Sequence, residues 1–208
     1  MKEEKDQGFF PQFGQNRFFI QGVHNGIDQM GKQLTQNNIN KTFVDGFNLW
    51  KQENQFQYRN MFNSHEQYVI VSVADKQMAL DMPVNSNRLV LWEKHGENFQ
   101  KWKIIFNSGH YAIENADKQL LTIEHNSPEN GATVTAHHQN NSAGEVWDFV
   151  PANEENNFFI RTFCGKCLEA SSNENKTPIR QANFEGKPNQ QWIVIPKLNT
   201  NTHGHDNR

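Results

Sequence analysis

The chain has 208 residues, of which 35% are hydrophobic and 21% are charged, with a formal net charge of −3 at pH 7. This charge balance argues against a dedicated nucleic-acid binder, because such domains usually carry a marked excess of Lys and Arg. The mean hydropathy is −0.85. No apolar stretch approaches the roughly 18 residues that a membrane span needs, so no membrane span is predicted. The polar character comes from 28 Asn and 18 Gln, while aromatic residues make up 12% of the chain.

The first segment in the chain, residues 1–64, is rich in aromatic residues and contains 11 of the 24 in the protein. Gly and Pro interrupt residues 8–19, which favours an extended backbone. Phe43, Phe47 and Trp50 follow the i, i+4, i+7 spacing of one helix face, which predicts a short helix. Aliphatic residues are scarce here, so the segment is not expected to form a core of its own.

This aromatic segment has two possible locations. It can fold back and cap the rest of the chain, or it can dock into grooves on another protein with its aromatic side chains as contacts. The second interpretation predicts a protein partner or large assembly that binds through residues 1–64. The predicted partner-binding residues are Phe9, Phe10, Phe13, Phe18, Phe19, Phe43, Phe47 and Trp50.

Residues 65–197 contain an internal repeat. Trp102, Trp147 and Trp192 are spaced 45 residues apart, and each closes a segment of short apolar runs separated by Gly, Asn, Asp, Ser or Pro. Such runs predict about twelve short strands in three groups of four. One group cannot bury its own apolar face, whereas three groups around a pseudo-threefold axis can, so we predict an all-β β-trefoil. Residues 198–208 read as a polar tail.

The motifs that close the repeats carry a family resemblance. Gln100-Lys101-Trp102 and Gln190-Gln191-Trp192 are Gln-x-Trp motifs, and Glu145-Val146-Trp147 departs from that pattern in its first residue. With these motifs, the region resembles the ricin B-type (R-type) β-trefoil lectins. The resemblance implies binding of galactose-type or related glycans. It also implies a shallow sugar site in each repeat, made of an early Asp, an aromatic residue about eleven positions later and an Asn before the Gln-x-Trp.

Such a site is chemically sensible, because a carboxylate and an amide can hold vicinal hydroxyls while an aromatic ring covers the apolar face of the sugar. The first repeat keeps Asp81 and Trp92, but Phe99 replaces the Asn and Asn98 lies one position early. The third repeat keeps Asn189 and has Glu169 in place of Asp, but Ala182 occupies the aromatic position, with Phe184 nearby as a candidate substitute. The predicted ligand-binding residues are Asp81, Trp92, Asn98, Gln100, Glu169, Asn189 and Gln190.

The second repeat has lost all three elements of the expected site, including the acid, which Thr122 replaces. The alignment of the first repeat is open by one position. Superposing the repeated Ala-Asp-Lys-Gln at 74–77 on that at 116–119 would set Leu80, rather than Asp81, opposite Thr122.

The remaining motifs predict no further chemistry. Cys164 and Cys167 have redox or zinc spacing, but no second pair completes a zinc site, so we interpret them as structural. No catalytic motif, metal site or cofactor site is recognised, and no enzyme activity is predicted. Because the N-terminal residues do not form a signal peptide, we expect an intracellular, cytoplasmic protein, with a cytoskeletal or ciliary assembly as one setting.

Two hypotheses follow from the sequence. In the first, the trefoil is a non-catalytic scaffold module that the N-terminal segment docks into a larger intracellular assembly. In the alternative, the chain is a carbohydrate-binding R-type lectin that uses mainly its first repeat. The incomplete sugar sites and the aromatic segment favour the scaffold.

Overall fold

A computed structural model describes residues 36–152, 154 and 156–197. Several predictions lie outside this part of the chain: the extended backbone of residues 8–19, the polar tail and the partner contacts of the five phenylalanines before residue 36. The side chain of Phe43 is also outside it, although its backbone is helical.

Twelve strands form three consecutive sets of four, as the repeat predicts. The first set is β1 (Tyr68–Ser72), β2 (Met78–Asp81), β3 (Val90–Glu93) and β4 (Lys103–Asn107). The second set is β5 (His110–Glu114), β6 (Leu120–Ile123), β7 (Val134–His137) and β8 (Trp147–Pro151). The third set is β9 (Asn157–Thr162), β10 (Cys167–Ala170), β11 (Thr177–Ala182) and β12 (Gln191–Pro196).

The outer strands of each set build a closed six-stranded barrel. β1 pairs with β12, β12 with β9, β9 with β8, β8 with β5 and β5 with β4, and a bridge between Tyr68 and Trp102 completes the ring. The inner strands form the hairpins β2–β3, β6–β7 and β10–β11, which touch one another at one end of the barrel. The architecture is a β-trefoil, and the predicted fold class is confirmed.

Three equivalent hydrogen bonds join the hairpins to the barrel. Trp102, Trp147 and Trp192 are all 0% exposed. Their indole N–H groups donate to the carbonyls of Leu80, Leu121 and Leu168, at 3.3, 2.9 and 3.1 Å respectively. Each tryptophan therefore buries a large apolar area and also satisfies its one polar atom, as buried indoles require.

The opposite end of the barrel is closed by a helical segment, residues 36–64. It contains α1 (Gln36–Glu53) and the short α2 (Gln55–Arg59), followed by the buried side chain of Phe62. The ring of Phe62 packs edge-on against Tyr111 and Phe149, with centroids 5.4 and 4.7 Å apart. Since β5 begins at this end of the barrel and β8 ends there, Phe62 plugs the opening that the hairpins leave uncovered.

The helix predicted around Phe47 and Trp50 is present, but its apolar face is turned inward. Phe47 is 1% exposed, and its ring lies 5.8 Å from those of Trp50 and Tyr58. Phe47 is therefore not free to contact another protein, which corrects its assignment as a partner-binding residue. Trp50, also assigned to a partner, is half-buried against this core. Within the described residues, the segment folds back on the trefoil, which is the other of its two expected locations.

A buried carboxylate joins the helical segment to the barrel. Oδ1 of Asp148, on β8, accepts hydrogen bonds from the Tyr58 hydroxyl at 2.6 Å and from Nζ of Lys51 and Nδ1 of His110, both at 2.9 Å. Oδ2 accepts a bond of 2.5 Å from Nη2 of Arg161 on β9. Burial opposes ionisation of Asp148, but the bond from His110, the charge of Arg161 and the other two bonds outweigh it and hold the pKa well below its usual range.

Asp148→Asn should destabilise the protein by about 3–5 kcal/mol at pH 7, because it leaves buried cations without their counter-charge. A carboxyl whose pKa is lowered by folding stabilises the folded state above its unfolded pKa, and this stabilisation is lost as the pH falls through the folded pKa. The gap between the variant and the wild type should therefore narrow below about pH 4. Urea unfolding of both proteins between pH 7 and the acidic range measures this difference in unfolding free energy. Asp45→Asn, on the exposed side of α1, is the matched control, and an equal effect of both variants would contradict the assignment.

Phe62→Ala should cost about 3–5 kcal/mol of unfolding free energy, since it leaves a cavity at the closed end of the barrel. Phe56→Ala removes a ring from the same segment, but that ring is 80% exposed, so the control should unfold at nearly the same denaturant concentration as the wild type. Chemical denaturation of both variants decides this. Equal midpoints for Phe62→Ala and the wild type would show that the plug does not contribute.

Candidate functional site

The threefold hydrogen bonds fix which residues correspond between repeats. Because each indole donates to the leucine that precedes the site position, Leu80, Leu121 and Leu168 are equivalent. The equivalent site positions are therefore Asp81, Thr122 and Glu169. Asp81, rather than Leu80, is therefore the residue equivalent to Thr122. Superposing the two Ala-Asp-Lys-Gln segments would misalign the first two repeats by one residue.

The first hairpin brings Asp81 and Trp92 to one face. In the β2–β3 pairing, Leu80 lies opposite Leu91 and Ala79 lies opposite Trp92. Side chains alternate along a strand, so Asp81 points to the same side as Ala79 and hence as Trp92. The two leucines fill the core, so the acid and the indole share the other face of the hairpin, where Asp81 is 3% exposed and Trp92 is partly exposed.

Asp81 is buried, with 3% of its surface exposed, and its carboxylate is held by neighbouring side chains. Its Oδ2 lies 3.0 Å from Nε2 of His95. Nδ1 of His95 accepts the backbone N–H of Glu97 at 3.1 Å, so in the neutral ring the hydrogen sits on Nε2 and is donated to Asp81. Burial raises the pKa of Asp81, and hydrogen bonds from Gln100 and His95 together with the His95 charge oppose that rise. The partly exposed His95 ring is therefore the part of this pair that faces solvent.

Trp92 is partly exposed and carries a cation over its ring. Nζ of Lys176, from the loop between β10 and β11, lies 5.3 Å from the ring centroid. Lys176 is exposed, and a surface cation–π contact is worth only about 0.5–1 kcal/mol, so a ligand can displace it at small cost. Asn98 is exposed, and its Oδ1 accepts a 2.6 Å bond from Nζ of Lys101. Phe99 beside it is 40% exposed.

The glutamines of the Gln-x-Trp motifs brace loops. Gln100 and Gln190 are 0% exposed, so their assignment as ligand contacts is wrong. Oε1 of each accepts the backbone N–H five residues earlier, at 2.9 and 2.8 Å. Glu145 accepts the corresponding N–H at 2.9 Å, so the departure from the motif keeps the acceptor. In the first and third repeats the glutamine amide also donates to the site acid, and Glu145 lacks this donor where Thr122 replaces the acid.

The second repeat is closed at its site position. A Cβ added to Gly144 would lie 2.6 Å from Oγ1 of Thr122, and the Gly144 N–H donates to Oδ1 of Asn126 at 2.7 Å. The loop therefore rests on Thr122, where a hydroxyl of a sugar would have to enter.

The third repeat offers polar groups without an aromatic platform. Oε2 of Glu169 accepts the amide of Gln190 at 3.0 Å, and the side-chain amide of Asn189 donates to the carbonyl of Ala170 at 3.0 Å. Phe184 is buried against Phe159, with centroids 5.0 Å apart. Both Glu169 and Asn189 stay partly exposed, but no ring in this hairpin faces the same space.

Cys164 and Cys167 are free thiols. Burial raises the pKa of the Cys167 thiol, which makes it unreactive at neutral pH. Between them, Gly165 has φ of +81° and packs against Val44 of α1, so the Gly-Lys pair forms the turn that its composition indicates. Among the helices in the described part of the chain, none is long and apolar enough to span a membrane.

Comparison with protein-family models gives two overlapping matches to one model, the ricin-type β-trefoil lectin domain-like family, at residues 52–137 and 98–182. Together they span well over half of the chain. The chain belongs to this family. The resemblance drawn from the Gln-x-Trp motifs is confirmed. A search of curated proteins found no significant match.

Solved structures similar to this ricin-type trefoil support the fold. The designed threefold-symmetric protein ThreeFoil matches with a TM-score of 0.58 and 21% identity, over 62% of this chain and 97% of its own. The Macrolepiota procera ricin B-like lectin, solved in complex with lactose, matches with a TM-score of 0.59 and 18% identity, over 65% and 98%. The Clostridium thermocellum exo-β-1,3-galactanase 1,3Gal43A matches with a TM-score of 0.59 and 21% identity, over 65% of this chain and 31% of the enzyme.

Sequence reasoning missed two members of the first-repeat site in this ricin-type domain. His95 follows the β2–β3 hairpin and is not part of the expected sugar-site pattern. Nothing in the sequence around it identifies it as the partner of Asp81. Lys176 comes from another repeat, and only the threefold packing of the hairpins brings it to Trp92.

Asp81→Asn should make the protein more stable relative to the wild type as the pH rises from about 4 to 6. A carboxyl whose pKa is raised by folding contributes stability below its unfolded pKa and loses it as the pH passes the folded pKa, and the asparagine has no such titration. Unfolding free energies measured at several pH values test this. Glu97→Gln, an exposed change of equal charge, is the control, and parallel curves for all three proteins would contradict the burial of Asp81.

Proposed function

We propose that the chain is a carbohydrate-binding lectin domain and that its first repeat holds the sugar site. One observation carries the proposal: among the three hairpins that the structure describes, only the first places a site acid on the same face as a partly exposed aromatic ring, within a family of lectin-like trefoils. The third repeat has the acid without the ring, and the second has neither.

In this proposal Trp92 provides the surface on which the apolar C–H face of a sugar ring stacks. Such contacts bury area on a rigid side chain, which makes an open site effective. Lys176 moves aside or remains at the edge of the indole, where its ammonium can donate to a sugar hydroxyl.

Asp81 and His95 supply the polar recognition. The carboxylate is held in place by Gln100 and His95, so it is oriented before a ligand arrives and loses little freedom on binding. A hydroxyl that donates to Asp81 would share the carboxylate with His95. Asn98 is exposed, and while its Oδ1 accepts the bond from Lys101, its side-chain NH2 group can donate to a sugar hydroxyl.

The comparisons give no support to docking into a larger assembly, which was the first hypothesis from the sequence. The packing of the helical segment also argues against docking, because Phe47 and Phe62 are already buried against the trefoil. An intracellular location stays a prediction from the sequence, and so does the absence of catalysis.

A glycan array of galactose-terminated and other sugars, followed by calorimetry with the best ligand and with lactose, tests this proposal. Trp92→Ala should lower the affinity about tenfold or more, because it removes the stacking surface, and Asp81→Asn should do the same through the lost charged acceptor. His137→Ala changes the equivalent exposed position in the second repeat and should leave the affinity unchanged.

Two results would contradict the proposal. One is an array without any bound glycan from a folded protein. The other is binding that Trp92→Ala and His137→Ala reduce equally, since that would place the sugar outside the first repeat.

A further inference from the structure

A cavity separate from the hairpin sites lies between the helical segment and the barrel. Its volume is about 910 Å³, and it is lined by residues of α1 and α2, of the turn between β4 and β5 and of the turn between β9 and β10. This is within the usual range for small-molecule sites, about 300–1,000 Å³. The proposed sugar site does not use it.

The cavity wall is cationic. Lys51, Arg59, His110 and Arg161 all line it, and the lining includes no Asp or Glu among the residues that the structure describes. Asp148 lies beneath the wall and balances one positive charge. With His110 neutral, these groups still leave a net charge of about +2 at the cavity, which favours an anion.

Arg59 is the cation at this wall that is fully available. It is exposed on α2, and no carboxylate in the described part of the chain forms an ion pair with it. Nζ of Lys51 donates to Asp148, lies 3.3 Å from Nδ1 of His110 and sits 4.8 Å from the centroid of the Tyr58 ring. The side chain is 17% exposed, and at least one of its three hydrogens is left for a ligand.

Arg161 adds a buried positive charge beneath the cavity wall. Its side chain is 7% exposed, and Nε and Nη1 have no hydrogen-bond partner among the described residues. The guanidinium stacks on Phe47 at 4.7 Å. These nitrogens are closed to solvent, so Arg161 acts on a ligand through its field, which a low-dielectric surrounding screens little.

His110 can add a directional contact. Its Nδ1 faces Asp148, a group that only accepts, so Nδ1 carries a hydrogen and donates it. The side chain is 41% exposed, and Nε2 remains for a ligand.

The rest of the wall is partly apolar, and Asn48, Gln52 and Gln55 add uncharged polar groups to it. Val44 on α1, Phe106 on β4 and Phe163 beyond β9 line the cavity beside the cationic groups, and Phe163 is 36% exposed. An inorganic ion would leave these apolar side chains exposed to water. A ligand with an anionic head and an apolar body would contact both the cationic groups and the apolar side chains.

We infer that this cavity binds small organic anions, with a phosphate or carboxylate head at Lys51, Arg59 and His110 and an apolar body against Val44, Phe106 and Phe163. The inference is independent of the sugar site. Phosphate and carboxylate share the same recognition chemistry, and the higher charge of phosphate favours it where both are present.

The test is an NMR titration of the full chain, ¹⁵N-labelled, at constant ionic strength. The probes are phenyl phosphate, benzoate, inorganic phosphate and the neutral benzyl alcohol. Phenyl phosphate or benzoate should give saturable shifts at the amides of Gly109, His110 and Cys164. Inorganic phosphate should bind more weakly than phenyl phosphate, because it lacks the apolar body, and benzyl alcohol should not saturate. The tighter of the two aromatic anions identifies the preferred head group.

Two variants change the cavity without touching the Asp148 network. Arg59→Gln removes the available cation, and Gln55→Glu places a carboxylate on the lining, so each should weaken phenyl phosphate about fivefold or more. Gln57→Glu makes the same charge change on α2 at an exposed position outside the lining and should bind as the wild type does. No saturable binding, equal binding by benzyl alcohol, or equal effects of Gln55→Glu and Gln57→Glu would overturn the inference.

Discussion

The structure depends on one buried carboxylate at the seam between two parts of the chain. Asp148 accepts hydrogen bonds from Tyr58 and Lys51 of the helical segment and from His110 and Arg161 of the barrel. Desolvating it without these partners would be costly, so the helical segment and the barrel end are stabilised together. This turns an aromatic segment without its own core into the cover of an open barrel. It also arranges the cationic wall of the cavity between them.

The other end of the molecule is organised by repetition. Three indole–carbonyl bonds and three buried loop braces recur at equivalent positions. Because these contacts lie in the core, the outer faces of the hairpins can differ without cost to the fold. Thr122 and Glu145 illustrate this independence, since the second repeat keeps its brace and closes its site. A binding function can therefore be kept by one hairpin and lost by another, and our proposal assigns it to the first.

The fold was predictable from the sequence because it rests on periodic, local signals. The 45-residue spacing of the tryptophans and the alternating apolar runs were enough for a β-trefoil, and the Gln-x-Trp motifs were enough for the family. The shared face of Asp81 and Trp92 follows from the same alignment. By contrast, the buried state of Gln100 and Gln190 was missed, because a polar side chain that braces a loop looks in sequence like one that meets a ligand.

The contacts that cross the molecule were not predictable in the same way. His95 and Lys176 reach the first site from outside its motif, and the helical segment meets the barrel through residues some 50 to 110 positions apart in sequence. One signal was available. Asp148 and Arg161 stand alone as charges within two apolar runs, and opposite charges of this kind on adjacent strands indicate a buried pair. They are indeed directly paired in the β8–β9 register.

Native-state hydrogen exchange tests most directly whether the helical segment is an integral part of the domain. Backbone amides of α1 around Phe47 and Trp50 should exchange with the same opening free energy as amides of β8 and β9, because the Asp148 network and the Phe62 plug break only when the barrel opens. If α1 instead exchanges through a separate opening of much lower free energy, while the strands stay protected, the segment is a detachable arm and this account of the fold is contradicted.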